Sequence, residues 1–190
     1  MYRDHPVHID IAGTVDSIAQ ITKETLYRCY ETFYHPSNMV LFVVGGIDEE
    51  RIMQLIRDNQ ASKPFQDRAE IKRFYPQEQP GIHERAKKVA LSVGISKCLM
   101  GFKEERLGLE GDAFLKQEVV SSIALEALLG QSSDLYLSLY NDGLIDDQFG
   151  FDYLLEDSFG FSLFGGDTRD PDTLISRIES ALPRYVEQGI

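Results

Sequence analysis

Four histidines, two cysteines and a pair of serines carry the reactive chemistry available to this 190-residue chain, and their spacing limits it sharply. His5 and His8 stand three apart, a spacing that aims two imidazoles at one metal on a helix. Pro6 lies between them, takes His5 out of helical geometry and favours a surface turn. His83-Glu84 has no second histidine one helical turn away and reads as solvated loop. Ser132-Ser133 offers a hydroxyl nucleophile, yet no histidine stands in a context that marks it as the base, so the expected role is a helix N-cap. Gly165-Gly166-Asp167 has backbone amides suited to a phosphate and an acidic residue that repels one, which makes it a strand-to-helix turn. Cys29 and Cys98 fall within apolar patterns and read as small core residues rather than a disulfide. No P-loop, Gly-x-Ser-x-Gly elbow, Cys-x-x-Cys, dinucleotide glycine fingerprint or His-Glu-x-x-His is present. No catalytic, metal-ligating or substrate-binding residue is therefore assigned, and no cofactor is expected within this segment.

The bulk properties narrow the partners. A hydrophobic content of 43% is enough for a core, and a formal net charge of -12 repels nucleic acid and anionic membrane surfaces alike. Basic or neutral partners suit such a surface, although the charge also serves solubility alone. The opening Met-Tyr-Arg-Asp-His-Pro lacks the apolar core of a signal peptide, and no later run reaches membrane-spanning length, so a cytoplasmic location is the default. Met1 leads straight into a polar turn, which reads as a boundary inside a longer chain.

The elements that must position these residues follow from periodicity and punctuation. Thr22 N-caps a helix with Leu26, Cys29, Tyr30 and Phe33 on one face, closed before Pro36. The stretch from Phe33 to Gly46 is the organising element of the chain, and within it Met39 to Val44, six apolar residues in a row, reads as a strand buried on both faces, with Gly45-Gly46 turning it out. Asp48 caps the next helix, whose inner face is Ile52, Leu55 and Ile56. Residues 59–84 read as a long extended connection anchored by Ile71, Phe74 and Tyr75. From Lys88 to Ile95 apolar and small residues alternate as in a half-buried strand, and Cys98 to Phe102 is a second apolar run. Asp112 to Leu129 predicts the longest helix, with Leu115, Val119, Ile123 and Leu128 inward and Gly130 as its stop. A short helix to Gly143, a β-hairpin turning at Glu156-Asp157-Ser158, and a helix capped by Asp170-Pro171 complete the order, with Pro183 expected to kink or end the last helix. The last residues, 187–190, stop just after a turn signal. The sum is an α+β fold, a two-layer sandwich with a mixed or antiparallel sheet and helices on one face.

These residues also match a family pattern. His5-Pro6, Gly13-Thr14, Ser17-Ile18, Ile21-Thr22, Leu26, Tyr30 and the run Phe33-Tyr34-His35-Pro36-Ser37-Asn38-Met39 into Gly45-Gly46 resemble the insulinase-type zinc metallopeptidases, the group of pitrilysin and mitochondrial processing peptidase. Gly101-Phe102, the long helix ending at Gly130, Ser132 to Leu135 and Gly143-Leu144-Ile145 resemble the C-terminal domain unit of the same family, in its bacterial form. The chain departs from that pattern at Asp134, where the family often has arginine, and at Ile145-Asp146, where a tyrosine often follows the Gly-Leu.

The resemblance implies a division into residues 1–30, the end of a preceding domain or a lead-in, and residues 31–190, a noncatalytic domain truncated at both ends. It implies zinc for the parent protein, held by an inverted His-x-x-Glu-His motif and a distant glutamate that lie N-terminal to residue 1, with zinc activating water and glutamate as general base. The implied partners are a peptide or protein substrate and a second domain or subunit of the same family that closes a chamber. The function it implies is the chamber-forming, substrate-contacting part of an endopeptidase or processing peptidase. The alternative is a non-enzymatic scaffold or peptide-binding subunit.

Overall fold

The computed structural model describes residues 1–65 and 70–189 and divides into two compact units, Met1–His8 with Tyr75–Ile190, and Ile9–Phe74. The first is an α+β layer pair. Strands β1 (Lys97–Lys103), β2 (Gly150–Leu155) and β3 (Gly160–Asp167) form an antiparallel sheet in the order β1-β3-β2. Cys98 lies opposite Gly166, Met100 opposite Phe164, and Phe102 opposite Ser162, while Phe151 faces Phe164 and Tyr153 faces Ser162. Alternation along the strands puts these side chains on one face. The main core forms there, as Cys98 and Phe164 join Leu129, Leu135, Tyr136, Leu139, Leu174 and Ile178 from the helices.

The helices of the same unit start and stop where their caps dictate. Ser133 Oγ accepts the Tyr136 N–H at the head of the short helix Asp134–Asn141, and Asp170 Oδ1 accepts the Thr173 N–H at the head of Pro171–Gln188. The latter runs on through Pro183 to Gln188. The long helix Gly111–Leu129 ends at Gly130, as its pattern predicts, but its orientation does not follow the predicted face. Leu115, Val119 and Ile123 are exposed, as is Val120, whereas Ser121, Ala124, Leu125 and Leu128 turn toward Phe102 and Tyr153 of the sheet. A helix apolar nearly all round does not reveal from its own residues which side the sheet will take.

In the second unit the described residues form the 3-10 turn Pro36–Asn38 and the α-helices Val15–Ala19, Lys23–Phe33 and Glu49–Ala61. Thr14 and Ser17 make a reciprocal capping box on the first, and the predicted caps Thr22 and Asp48 accept the Thr25 and Arg51 N–H groups on the others. Met39 to Val44, expected as a strand buried on both faces, forms no ladder with any of the described residues, and Phe42 is 84% exposed. Its apolar run specifies a strand that needs neighbours on both sides, and none of the described residues supplies them. Lys88 to Ile95 likewise forms no ladder, and Val89, Leu91, Val93 and Ile95 are exposed. Period-two alternation assigns faces to a strand; it does not create the partner that makes the ladder. Cys29, expected in a core, is exposed on its helix, while Cys98 is buried as predicted. Residues 66–69 of the long connection and Ile190 lie outside the described residues.

Candidate functional site

A groove of about 2030 Å³ runs along the edge of β1, which among the described residues pairs with β3 alone. Its lining is mainly aliphatic: Val89 and Leu91 from the extended segment, Leu99 from β1, and Ile175, Leu182 and Val186 from the last helix. Two ion pairs join the extended segment to that helix, Arg85 to Glu179 at 3.7 Å and Lys88 to Asp172 at 3.5 Å. Both are well exposed and add little stability. Lys97 and Asp167 pair across the β1–β3 ladder. Such a groove can bury an apolar segment; its lining brings together no nucleophile, base and oxyanion donor.

A second, smaller cleft of about 220 Å³ separates the long helix from the sheet. Glu104 anchors its polar end. One carboxylate oxygen accepts the Tyr153 hydroxyl at 2.6 Å and the Gln117 amide at 3.1 Å, and the other accepts the Glu105 and Arg106 N–H groups. Burial pushes the Glu104 carboxyl up, but these donors, Tyr153 first, together hold it below its usual value. Burial also raises the Tyr153 phenol, and the hydrogen bond it donates to Glu104 raises it further. The network is saturated, which suits a brace between helix and sheet.

The sequence-flagged residues are scattered. Ser133 is a buried N-cap, as expected. Gly165-Gly166-Asp167 is the end of β3 rather than a strand-to-helix turn: Gly165 has φ +149°, and a Cβ there would stand 2.0 Å from the Cys98 carbonyl oxygen. The glycines serve close approach of two strands, a demand set by long-range pairing. Ile145, at one of the departures from the family pattern, is buried in the core, and Asp134 is the first residue of its helix.

The expected surface turn at His5 is the largest departure. His5 is 3% exposed, and both ring nitrogens are engaged. Nδ1 accepts the Val7 N–H at 3.1 Å, which leaves the proton on Nε2, 3.1 Å from Ser158 Oγ. His8 Nδ1 donates to the His5 carbonyl at 2.6 Å, and His35 Nδ1 contacts Ser37 Oγ at 2.8 Å. These engagements do not fit a zinc site. Among the described residues no three His, Cys, Asp or Glu side chains cluster as metal ligands. Proline beside His5 hid the burial; the only signal was an aromatic, Tyr2, three residues earlier.

Beside His5, Glu78 accepts three successive backbone N–H groups, from Arg3 at 2.9 Å, Asp4 at 2.9 Å and His5 at 2.8 Å, and pairs with Lys103 Nζ at 3.2 Å. The Arg3 N–H is the main cause that holds the Glu78 carboxyl down to about 2, with His5, Asp4 and Lys103 adding to it. A carboxyl depressed on folding contributes stability that is full above its unfolded value near 4.5 and lost as pH falls through about 2. The stability of the chain in urea should therefore fall between about pH 4.5 and 2, and Glu78→Gln should flatten that part of the profile. An unchanged acid limb in the variant would refute this assignment.

Residues 20–190 match the family model for the Peptidase M16 inactive domain. The chain belongs to the M16, or insulinase-type, peptidase family, as a segment of its C-terminal kind. It is 50% identical over 187 residues to the zinc protease YmfH of Bacillus subtilis (strain 168), covering 98% of this chain and 44% of that protein. It is 24% identical over 136 residues to the zinc protease PqqE of Helicobacter pylori, covering 72% of this chain and 29% of that one. An M16-like peptidase from Alicyclobacillus acidocaldarius has a structure similar to all of this chain, at a TM-score of 0.90 and 45% sequence identity, with 45% of that chain covered. The chain thus spans less than half the length of YmfH and of the Alicyclobacillus peptidase.

Proposed function

We propose that this chain is the noncatalytic, chamber-forming part of a bacterial zinc-dependent endopeptidase or processing peptidase. The observation that carries the reading is the match of residues 20–190 to the inactive domain of the M16 peptidases. The zinc belongs to parts of the parent protein outside these residues, since the histidines described above do not fit a site for it. Residues 1–30 are read as the end of a preceding domain or a lead-in, and residues 31–190 as the noncatalytic unit.

The surface supports a role inside something larger. The chain exposes 15194 Å². Even two separate globules of these sizes would expose only about 11,000 Å², and the excess is larger than the roughly 1,000–2,500 Å² that each partner contributes to an obligate interface. The exposed aliphatic row Leu115, Val119, Val120 and Ile123 and the groove beside β1 are the surfaces that a second domain or subunit of the same family would cover, with a peptide substrate held against the wall so formed. No helix among the described residues is long and apolar enough to cross a membrane, and we place the protein in the cytoplasm with no nucleic-acid partner, in keeping with its net charge of -12.

The isolated chain should cleave no fluorogenic peptide library in a zinc-dependent manner; zinc-dependent turnover would overturn the placement of the metal outside it. The sequence that precedes residue 1 in the parent protein separates peptidase from scaffold. An intact His-x-x-Glu-His there, followed by a more distant glutamate, supports the enzyme, and its absence supports an assembly subunit.

A further inference from the structure

Residues 1–8 are separated from the rest of their unit by residues 9–74, yet Tyr2 and His5 are among the most buried side chains of the protein, at 7% and 3% exposure. They lie in a fully formed pocket. The Tyr2 hydroxyl donates to the Gly160 carbonyl at 2.6 Å and accepts the Gly160 N–H at 2.9 Å, so it reads both polar groups of one backbone residue. Lys103 Nζ sits 4.5 Å from the Tyr2 ring centroid, and Phe159 meets the ring edge-on. The His5 ring is stacked on Tyr75 at 5.3 Å and lies 5.0 Å from Phe159.

Between these two anchors the backbone, not the side chains, is held. Glu78 takes the Arg3, Asp4 and His5 amides on one carboxylate, and Lys103 neutralises it while also donating to the Gln79 and Gly81 carbonyls. The Met1 carbonyl accepts the His83 N–H, and the Met1 side chain lies over Gly101, where a Cβ would stand 2.7 Å from its terminal methyl. Arg3 and Asp4 themselves point to solvent. The backbone bends at Arg3, Asp4 and His5, which turns their successive N–H groups to one side, toward the Glu78 carboxylate.

We propose that the sheet-bearing unit carries a peptide-binding site, built from Tyr75, Glu78, Lys103 and Ser158 to Gly160, that recognises a bent Tyr-x-x-His segment, and that residues 1–8 of the chain occupy it in cis. Specificity comes from the phenol hydroxyl and the imidazole three residues apart; the two positions between them are unread. A chain without its own occupant takes the same segment in trans.

Amide hydrogen exchange on the intact chain tests this directly. The Arg3, Asp4, His5 and Gly160 amides should exchange at least about 10-fold more slowly than in an unstructured peptide. Glu78→Gln should release the first three and Tyr2→Phe the last, with the Leu163 amide unchanged as the control for an intact sheet. Free-peptide rates at Arg3 to His5 in the wild-type chain would overturn the proposal. In a second experiment a chain lacking residues 1–8 is titrated with a synthetic peptide of that sequence, followed by fluorescence anisotropy. Saturable binding is expected, weakened at least about 10-fold by Tyr2→Phe or His5→Ala in the peptide and less than about 2-fold by Arg3→Ala. Equal affinity for all four peptides, or no saturation by a shortened chain that keeps the amide dispersion of its sheet, would sink it. If the shortened chain is unfolded, the exchange data on the intact chain decide.

Discussion

Leu139→Ala should destabilise the sheet-bearing unit by about 2–5 kcal/mol. Leu139 has 0% of its surface exposed and lies in a core shared by the short helix, the last helix and the sheet, so the lost methyl groups leave a cavity that three elements would have to move to fill. The informative control is Phe42→Ala. If Met39 to Val44 were a strand buried on both faces, that truncation would cost about 3–5 kcal/mol. With Phe42 84% exposed, the expected change is within about 0.5 kcal/mol. Urea unfolding of both variants, followed by far-ultraviolet dichroism, measures the contrast. Equal losses would show that the apolar hexapeptide is packed after all.

Gly165→Ala is expected to cost roughly 2–4 kcal/mol and to loosen β1 from β3. Two terms add. The residue has φ +149°, where an L side chain is strained, and its Cβ would stand 2.0 Å from the Cys98 carbonyl oxygen and 2.9 Å from Leu99 Cα, both backbone atoms of the neighbouring strand. Neither can turn aside as a side chain would. Gly150→Ala, on the outer strand with nothing within 4 Å of its Cβ, should change stability by well under half as much. The Met100 amide, in the hydrogen-bonded pair with Phe164 next to Gly165, should lose exchange protection in the Gly165 variant and keep it in the Gly150 one. A Gly165→Ala protein as stable as the parent would show that the strands can separate there without cost.

Much of the local structure is legible in the residues. Thr22, Asp48, Ser133 and Asp170 each sit where a side-chain oxygen can take an N–H of the first helical turn, and each does so. The hairpin is read from its alternation and its polar turn, and Gly130 from its place after a long apolar pattern. The same residues said little about which faces meet. Leu115, Val119 and Ile123 point outward because the long helix is apolar on both sides and the sheet took the side with the smaller residues, Ser121 and Ala124. Proline after His5 predicts a turn, whereas the burial of His5 depends on Tyr75 and Phe159, far away in sequence.

By itself the sequence determined the caps, the turns, the hairpin, the α+β class and the family, since each rests on residues close together in the chain or on a pattern of types along it. Only the tertiary structure decided that, among the described residues, β1 has a free edge beside a groove and Met39 to Val44 no ladder partner, that Gly165 must lack a side chain, and that residues 1–8 fill a pocket made by residues distant in sequence. The physical reason is the same for all four: a backbone amide, a Cβ position or an aromatic ring is satisfied or excluded by whatever long-range neighbour folding brings to it, and periodicity carries no record of that neighbour.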